Sequence, residues 1–540
     1  MSKFYGKMFA SRVLLSFIMV MILLMTCILR VAVIATGNYN TVQANQSSYK
    51  INVARLRGTI YDCNMVPLTN SSKKIVAAVL PTPKGIMAAS AALEGDALKN
   101  VLETLKNNKP AICTVDDKIA SEGVATTTVY SHNGEYLPAC HIIGYIDATG
   151  HGVSGLELAY DDLLYSDKSV SAVFTSDGKG NVLEGIEPYF ENDLSVVHSG
   201  VVTTLDINIQ SVTERALSKL SSGCAIVAEA QSGKIRAMAS VPTFDVNNLE
   251  LSLSGENSPM INKALAAFNV GSIFKPIVAA AAIENGYINQ TYNCTGSTEI
   301  ADRTFRCHKL DGHGEMNMCT ALSQSCNCYF FKLATVIGSE KLYKASANLS
   351  LSGKIRIADN LFSASGNMPT EKALENEGAI ANFSIGQGTL LASPVAMLNL
   401  YSAIATNGCY IMPSIVEKTI KDGAEQSFDK RYPTRVMNVE TAAILRDYLK
   451  NVITEGTGSE AAPQNCDAAG KTATAQTGRY YDNGEEITNS WFCGFFPADA
   501  PKYVVVVMSN SRLSVSTASI FAEISDEIMQ IENQNVEFDD

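Results

Sequence analysis

The sequence predicts an α+β protein, held to a membrane at its N-terminus, with a smaller domain followed by a larger one. Three observations predict it. A long charge-free apolar run stands near the start, helical patterns fill much of the middle, and strand patterns at two distant places read as one sheet. At 540 residues the chain exceeds one ordinary domain. Apolar residues make up 46%, enough for sizeable cores. The net charge is −12 with no basic block, which argues against nucleic-acid binding. Only six His occur and none lies in an HExxH pattern, so the common hydrolytic metal motif is missing.

The apolar run "VLLSFIMVMILLMTCIL" (13–29) continues past Arg30 into "VAVIA". A span over 13–35, about 23 residues, is long enough to cross a bilayer. A charge near its far end reaches the headgroups. Lys3, Lys7 and Arg12 precede it, so residues 1–12 are expected in the cytoplasm and the rest outside. A cleaved signal peptide is the alternative, but such a core is usually ~7–15 residues long.

Residues 36–196 read as the first domain, opening with a polar linker over 37–50. Short strands and helices follow at "RGTIYDCN" (57–64), "IVAAVL" (75–80), "DALKNVLETLKNN" (96–108) and "SGLELAYDDLL" (154–164). None combines a nucleophile with a base, so the region reads as a structural module. The pattern changes near 200, and residues 197–532 read as the second domain. "VVTTLDINIQSVTERALSKL" (201–220) has a Thr or Asp N-cap and then helical spacing. "GCAIVAEAQSGKIRAMAS" (223–240) reads as strand, turn, strand. "GKTATAQTG" (470–478), "NSWFCGFFP" (489–497) and "KYVVVVMSN" (502–510) read as three more strands, separated by "YDNG" and "ADAP" turns. The outcome is an antiparallel sheet built from both ends of a domain, with a helical insert between. "TASIFAEISDEIMQI" (517–531) closes the domain as a helix, and 533–540 reads as an acidic tail.

Three separated segments carry chemistry. In "NVGSIFKPIVAAAAIENG" (269–286), Ser272 stands three residues before Lys275, at the point where Gly271 gives way to an Ala-rich helical run. Side chains at that spacing are neighbours on a helix. The apolar run after Lys275 would desolvate its amine and lower its pKa, making it a base for the hydroxyl. A helix N-terminus also favours an oxyanion nearby. The plainer reading is a structural helix start, since Ser-x-x-Lys recurs elsewhere in the chain. In "ALSQSCNCYFFKLA" (321–334), Ser325 can relay a proton and Asn327 can hold a carbonyl, or both are turn residues. In "GKTATAQTG", Lys471 and Thr472 stand on a strand where a carboxylate and an extended peptide could be bound. An edge-strand lysine that resists aggregation is the alternative.

Taken in order, these segments resemble the S-x-x-K, S-D-N and K-T-G set of serine-type penicillin-recognising enzymes. The chain is similar to the class B penicillin-binding proteins, the monofunctional peptidoglycan D,D-transpeptidases of elongation, division or sporulation. "RGTIYDCN" and "GVSGLELAYDDLL" (152–164) look like that class's pedestal motifs. "TTLDINIQ" (203–210), "GKIRAMASVPTFDVNN" (233–248), "SIGQGTLLASPVAMLNLYSAIATNG" (384–408) and "WFCGFFP" (491–497) look like its transpeptidase landmarks. The resemblance implies a dimerisation-type pedestal over 36–196 and a transpeptidase domain over 197–532. It further implies a five-stranded antiparallel sheet flanked by helices, with an all-helical subdomain.

For the site, the resemblance implies Ser272 as nucleophile, Lys275 as its base, Ser325 as proton shuttle and Asn327 as holder of the donor peptide. Lys471 and Thr472 would bind its terminal carboxylate, and the N–H groups of Ser272 and Thr474 would form the oxyanion hole. Implied partners are D-Ala-D-Ala stem peptides, an amine acceptor, β-lactams and a membrane glycosyltransferase. No cofactor is required. A D,D-carboxypeptidase, a β-lactamase, a β-lactam sensor and a non-catalytic scaffold activating a glycosyltransferase are the alternatives.

The chain departs from the pattern at three places. Ala473 stands where the family has Gly, Val270 where it usually has Pro, and Cys63-Asn64-Met65 replaces a pedestal turn. A methyl at 473 pointing at ligand would hinder acylation, and one pointing away would do little. The insert 287–320 brings Cys294, Cys307, His308 and His313 close in sequence. Three readings stand open. These are a Cys294–Cys307 disulfide, a structural zinc on Cys294, Cys307 and His313 with Asp302 or His308, and free residues.

Overall fold

The N-terminal apolar run folds as one helix, Ser2–Thr36, in a computed structural model that describes residues 2–36, 48–134, 136–176, 183, 186–192 and 199–539. Its Arg12–Val33 stretch is long and apolar enough to cross a membrane. The large side chains of that stretch are exposed along its length, as a lipid-facing helix requires. The expected linker lies for the most part outside the described residues.

The chain divides into two compact units. The first takes the segment up to Arg55, then Lys73–Tyr130 and Lys168–Leu194. One of its sheets joins Ser72–Val79 to Ala111–Val115 and Val124–Ser131. Helix Gly95–Lys106 lays Leu98, Val101 and Leu105 on this unit's core, the spacing of an amphipathic helix.

The expected continuous domain over 36–196 is not what the packing gives, because residues 56–72 and 131–167 belong to the second unit. Long-range pairs cause this. Thr59–Tyr61 runs parallel to Gly200–Thr203. The buried Arg57 guanidinium donates to Glu157 at 2.6 Å and Asp161 at 2.8 Å. The Nε2 of His132 lies 2.8 Å from the other Glu157 oxygen. Hydrophobic periodicity carries no trace of such pairing.

In chain order, the elements that position the site are α1 (Ile207–Leu217), β1 (Gly223–Glu229), β2 (Ile235–Val241), α2 (Lys275–Glu284), α3 (Asn327–Ile337), α4 (Pro394–Ala405), α5 (Val439–Thr454), β3 (Ala469–Tyr480), β4 (Glu486–Phe496), β5 (Tyr503–Ser509) and α6 (Thr517–Asp539). Asp206 caps α1 by accepting the N–H groups of Asn208 and Ile209. The five strands pair in the order β2-β1-β5-β4-β3, every pair antiparallel. Alternation along β1 splits its side chains between two cores. Ala225 and Val227 meet Val212, Leu217, Phe521 and Ile524 of α1 and α6. Cys224 and Ile226 face the larger core that contains α2 and α4. Helix α4 is buried along its whole length, and α2 from Lys275 to Ala282. Helix α6 runs on to Asp539, so the stretch expected as an acidic tail is helical through that residue, with no Gly or Pro to stop it.

Candidate active site

A single 3-10 turn, Gly271–Phe274, leads into α2. Ser272 lies inside this turn rather than at a cap, and the Lys275 N–H donates to the Ser272 carbonyl. In a 3-10 turn residues three apart lie one above the other, which stacks position 272 on 275. The turn is held from several sides. Tyr401 of α4 donates its hydroxyl to the Ile273 carbonyl at 3.0 Å. The indole N–H of Trp491 in β4 donates to the Asn269 carbonyl at 2.9 Å. Both rings are fully buried. Gly271 has φ +68°, and a Cβ there would stand 3.0 Å from the Ala475 methyl and 3.3 Å from that of Ala473. The serine turn therefore rests directly on β3.

Lys275 is completely buried. Its Nζ donates to the Ser325 carbonyl at 2.6 Å, to Asn327 Oδ1 at 2.8 Å and to Ser325 Oγ at 3.2 Å. It also lies 5.4 Å from the centre of the Phe330 ring. Burial brings its pKa from 10.5 down to about 7, so a neutral amine is accessible near neutral pH. Ser325 adopts φ +54°, uncommon for a serine, in the turn between helix Met318–Ser323 and α3. The Cys326 N–H closes that turn on the Ala321 carbonyl at 2.9 Å.

Lys471 on β3 is also completely buried. Its Nζ donates to the Thr472 carbonyl at 3.1 Å, to Thr472 Oγ1 at 3.4 Å and to Thr457 Oγ1 at 3.5 Å. Burial pushes its pKa well below 10.5, and repulsion from Lys275 pushes it further. That repulsion acts between amines supplied from far apart in the chain. The structure thus gathers the Ser272 turn, Lys275, Ser325, Asn327, Lys471 and Thr472 around the end of β3, with Thr474 exposed on the strand. A buried amine beside a turn serine and a polar relay is an arrangement for activating a hydroxyl nucleophile.

Residues 223–530 match the family model described as the penicillin binding protein transpeptidase domain. The chain belongs to this penicillin-binding protein family. It is 30% identical over 477 residues to penicillin-binding protein PbpB of Mycolicibacterium smegmatis, covering 81% of this chain and 72% of that protein. It is 25% identical over 460 residues to peptidoglycan D,D-transpeptidase MrdA of Acinetobacter baumannii, covering 74% and 66%. Its fold is similar to penicillin binding protein 3 from Mycobacterium tuberculosis complexed with aztreonam. There the TM-score is 0.64 and the identity 23%, over 90% of this chain and 97% of that one.

Within this penicillin-binding protein, Ala473 resolves one question that the sequence leaves open. Its methyl is buried in the core on the Gly271 side, while Thr472 and Thr474 occupy the other face of β3. Sequence reasoning missed Thr457, in the loop after α5. Its hydroxyl lies 3.0 Å from that of Thr472, and its N–H donates to the Ser323 carbonyl at 3.0 Å. The local signal for it is slight, a Gly on either side.

The cysteine-rich insert also comes to this site. Cys294, Cys307, His313 and Cys326 offer ligand atoms that all lie within 4.8 Å of one another. Cys326, the middle residue of Ser325-Cys326-Asn327, completes this set, in place of Asp302 or His308, which are both exposed. Cys294 and Cys307 are free thiols, as is Cys326.

Proposed function

We propose that this chain is a serine D,D-transpeptidase that cross-links peptidoglycan stem peptides and is acylated by β-lactams. The observation that carries the reading is the Lys275 amine, buried and within hydrogen-bond reach of both Ser325 Oγ and Asn327 Oδ1. In this reading Lys275 takes the Ser272 proton as Oγ attacks the carbonyl between the last two D-alanines. The C–N bond then breaks, and Ser325 passes a proton to the departing amine of D-alanine. Asn327 holds the donor peptide, and Lys471 and Thr472 receive its terminal carboxylate. The N–H groups of Ser272 and Thr474 stabilise the oxyanion, a contribution of ~2.7–4 kcal/mol per donor where measured. An acceptor amine from a neighbouring strand attacks the acyl-enzyme and regenerates Ser272.

The apolar N-terminal helix supports a single-pass anchor with residues 1–12 in the cytoplasm and the catalytic unit outside. A membrane glycosyltransferase is the partner expected to supply strands. The scaffold alternative rests on Ala473, and with that methyl turned into the core no observation favours it. Labelling with a fluorescent penicillin tests the serine: a labelled band that disappears in Ser272→Ala is expected, and no label on the native chain would refute the reading. Incubation with a pentapeptide muropeptide donor and an acceptor should give cross-linked dimer; free tetrapeptide alone would assign a D,D-carboxypeptidase instead.

A further inference from the structure

We infer that Arg479 is a substrate-specificity residue whose guanidinium takes a second carboxylate of the donor stem peptide, upstream of the terminal one. The inference rests on the transpeptidase reading above, which sets the direction of the donor. In that reading the terminal carboxylate lies at Lys471 and Thr472. The attacked carbonyl, one residue upstream, lies at the Thr474 N–H. The rest of the donor therefore runs on along β3 toward that strand's C-terminal end. β3 is an edge strand of the five-stranded sheet, so an extended chain can lie beside it.

Cross-strand register places Arg479 on that path. Residues directly opposite in an antiparallel pair share a face of the sheet. Lys471 opposes Cys493, Ala473 opposes Trp491, Ala475 opposes Asn489 and Arg479 opposes Ile487, and alternation along β4 puts all of these on one face. The Ser272 turn rests on this face, since a Cβ at Gly271 would meet the methyls of Ala473 and Ala475. Thr477 and Gly478 bulge out of the register, and a bulge of two residues leaves the alternation intact. By the β4 register, position 479 lies about 7 Å beyond Ala475 and about 20 Å beyond Lys471 along the strand. A guanidinium reaching back by the ~6 Å of its own side chain meets a group ~14 Å from the terminal carboxylate. An extended chain covers that distance in about four residues.

The charge at this place is uncommitted. Arg479 is exposed, and its guanidinium makes no ion pair or hydrogen bond among the described residues. Two carboxylates across the hairpin are already engaged. Glu486 accepts Gln476 Nε2 at 2.8 Å and the Gly478 N–H at 3.0 Å. Glu485 holds Arg512, whose guanidinium carbon lies 4.8 Å from the centre of the Tyr481 ring. The bulge itself is braced. Gly478 takes φ +69°, Thr477 Oγ1 donates to the Ile487 carbonyl, and the same oxygen accepts the Arg479 N–H at 3.2 Å. A free guanidinium on a braced backbone, in line with the terminal-carboxylate site, is suited to a second carboxylate.

The test uses the full chain in detergent and pentapeptide muropeptide donors whose second-residue carboxylate is either free or a primary amide. Fluorescent penicillin counts the active serine. The native kcat/KM should favour the free acid about fivefold, through KM, and the preference should shrink as salt is raised. Arg479→Gln should bring the ratio to about one by raising KM for the acid donor alone, and Arg479→Lys should keep part of the preference. A purely structural role for Arg479 would lower both donors together. Equal rates with the two donors on the native chain, or a preference unchanged in Arg479→Gln, overturns the inference. So does a preference that follows amidation of the acceptor and not of the donor. A native chain that consumes neither donor takes down the transpeptidase reading itself, and this inference with it.

Discussion

Acylation should speed up with pH, because the proposed base must be neutral to act. Lys275 is fully buried and its pKa falls from 10.5 to about 7, a preference for the neutral amine of roughly 5 kcal/mol. The neutral fraction is then about 9% at pH 6, about half at pH 7 and about 91% at pH 8. The second-order rate of acylation by a fluorescent penicillin should therefore rise about tenfold from pH 6 to pH 8 and flatten above it. Lys275→Arg supplies a permanently charged guanidinium, so the rate should fall by ~10²–10⁴ and the slope should vanish. Rapid-quench labelling across this range measures both. A native rate that changes less than twofold between pH 6 and 8, or an unchanged slope in Lys275→Arg, would refute the assignment. Stability should move in the same direction. Between about pH 7 and 10.5 the unfolded chain holds more protons on this amine than the folded one, so unfolding becomes harder as pH rises.

Gly271→Ala should remove penicillin labelling and destabilise the catalytic unit by ~1–3 kcal/mol, since its methyl has no room against Ala475 and the backbone sits at φ +68°; urea unfolding and labelling read it out. Ala473→Gly should lower stability by roughly 1–2 kcal/mol through a lost buried methyl and a looser strand, yet leave acylation within about threefold. A gain above tenfold in acylation would mean that the native methyl faces the ligand. Thr457→Val should weaken carboxylate-bearing ligands about fivefold by stripping a hydrogen-bond partner from Thr472 and Lys471, visible in the penicillin concentration dependence and not in the limiting rate. Glu157→Leu should cost ~3–5 kcal/mol by leaving the buried Arg57 without its closest carboxylate, measured by thermal unfolding; a loss under 1 kcal/mol would show that Asp161 suffices.

What can be read in the sequence are features that local chemistry or period imposes. The strands of the sheet announce themselves as runs such as "YVVVVMS", because their side chains are buried on both faces. Ser272, Lys275, Ser325, Asn327 and Lys471 are picked out by the resemblance of three ordered motifs to a family's set, each motif being weak alone, and burial of Lys275 follows from the apolar residues after it. The direction of the Ala473 methyl does not, since it depends on the register that sets Ala473 opposite Trp491. Cys326 escapes notice as a member of the Cys294, Cys307 and His313 cluster because those residues lie 13 or more positions away, in a segment that folds back by hairpins. Arg57 and Glu157 stand 100 positions apart in sequence, and their ion pair leaves no local signature.

The strand order has a consequence for how the protein is made. β5 sits at the middle of the sheet, flanked by β1 and β4, although it is the last of the five to leave the ribosome. Until Tyr503–Ser509 emerges, the earlier strands can form only two separate hairpins, and the Ser272 turn has no finished floor beneath it. Synthesis through Ser509 therefore precedes completion of the sheet, so a chain stalled midway carries the Ser272 turn without the strand order that supports it.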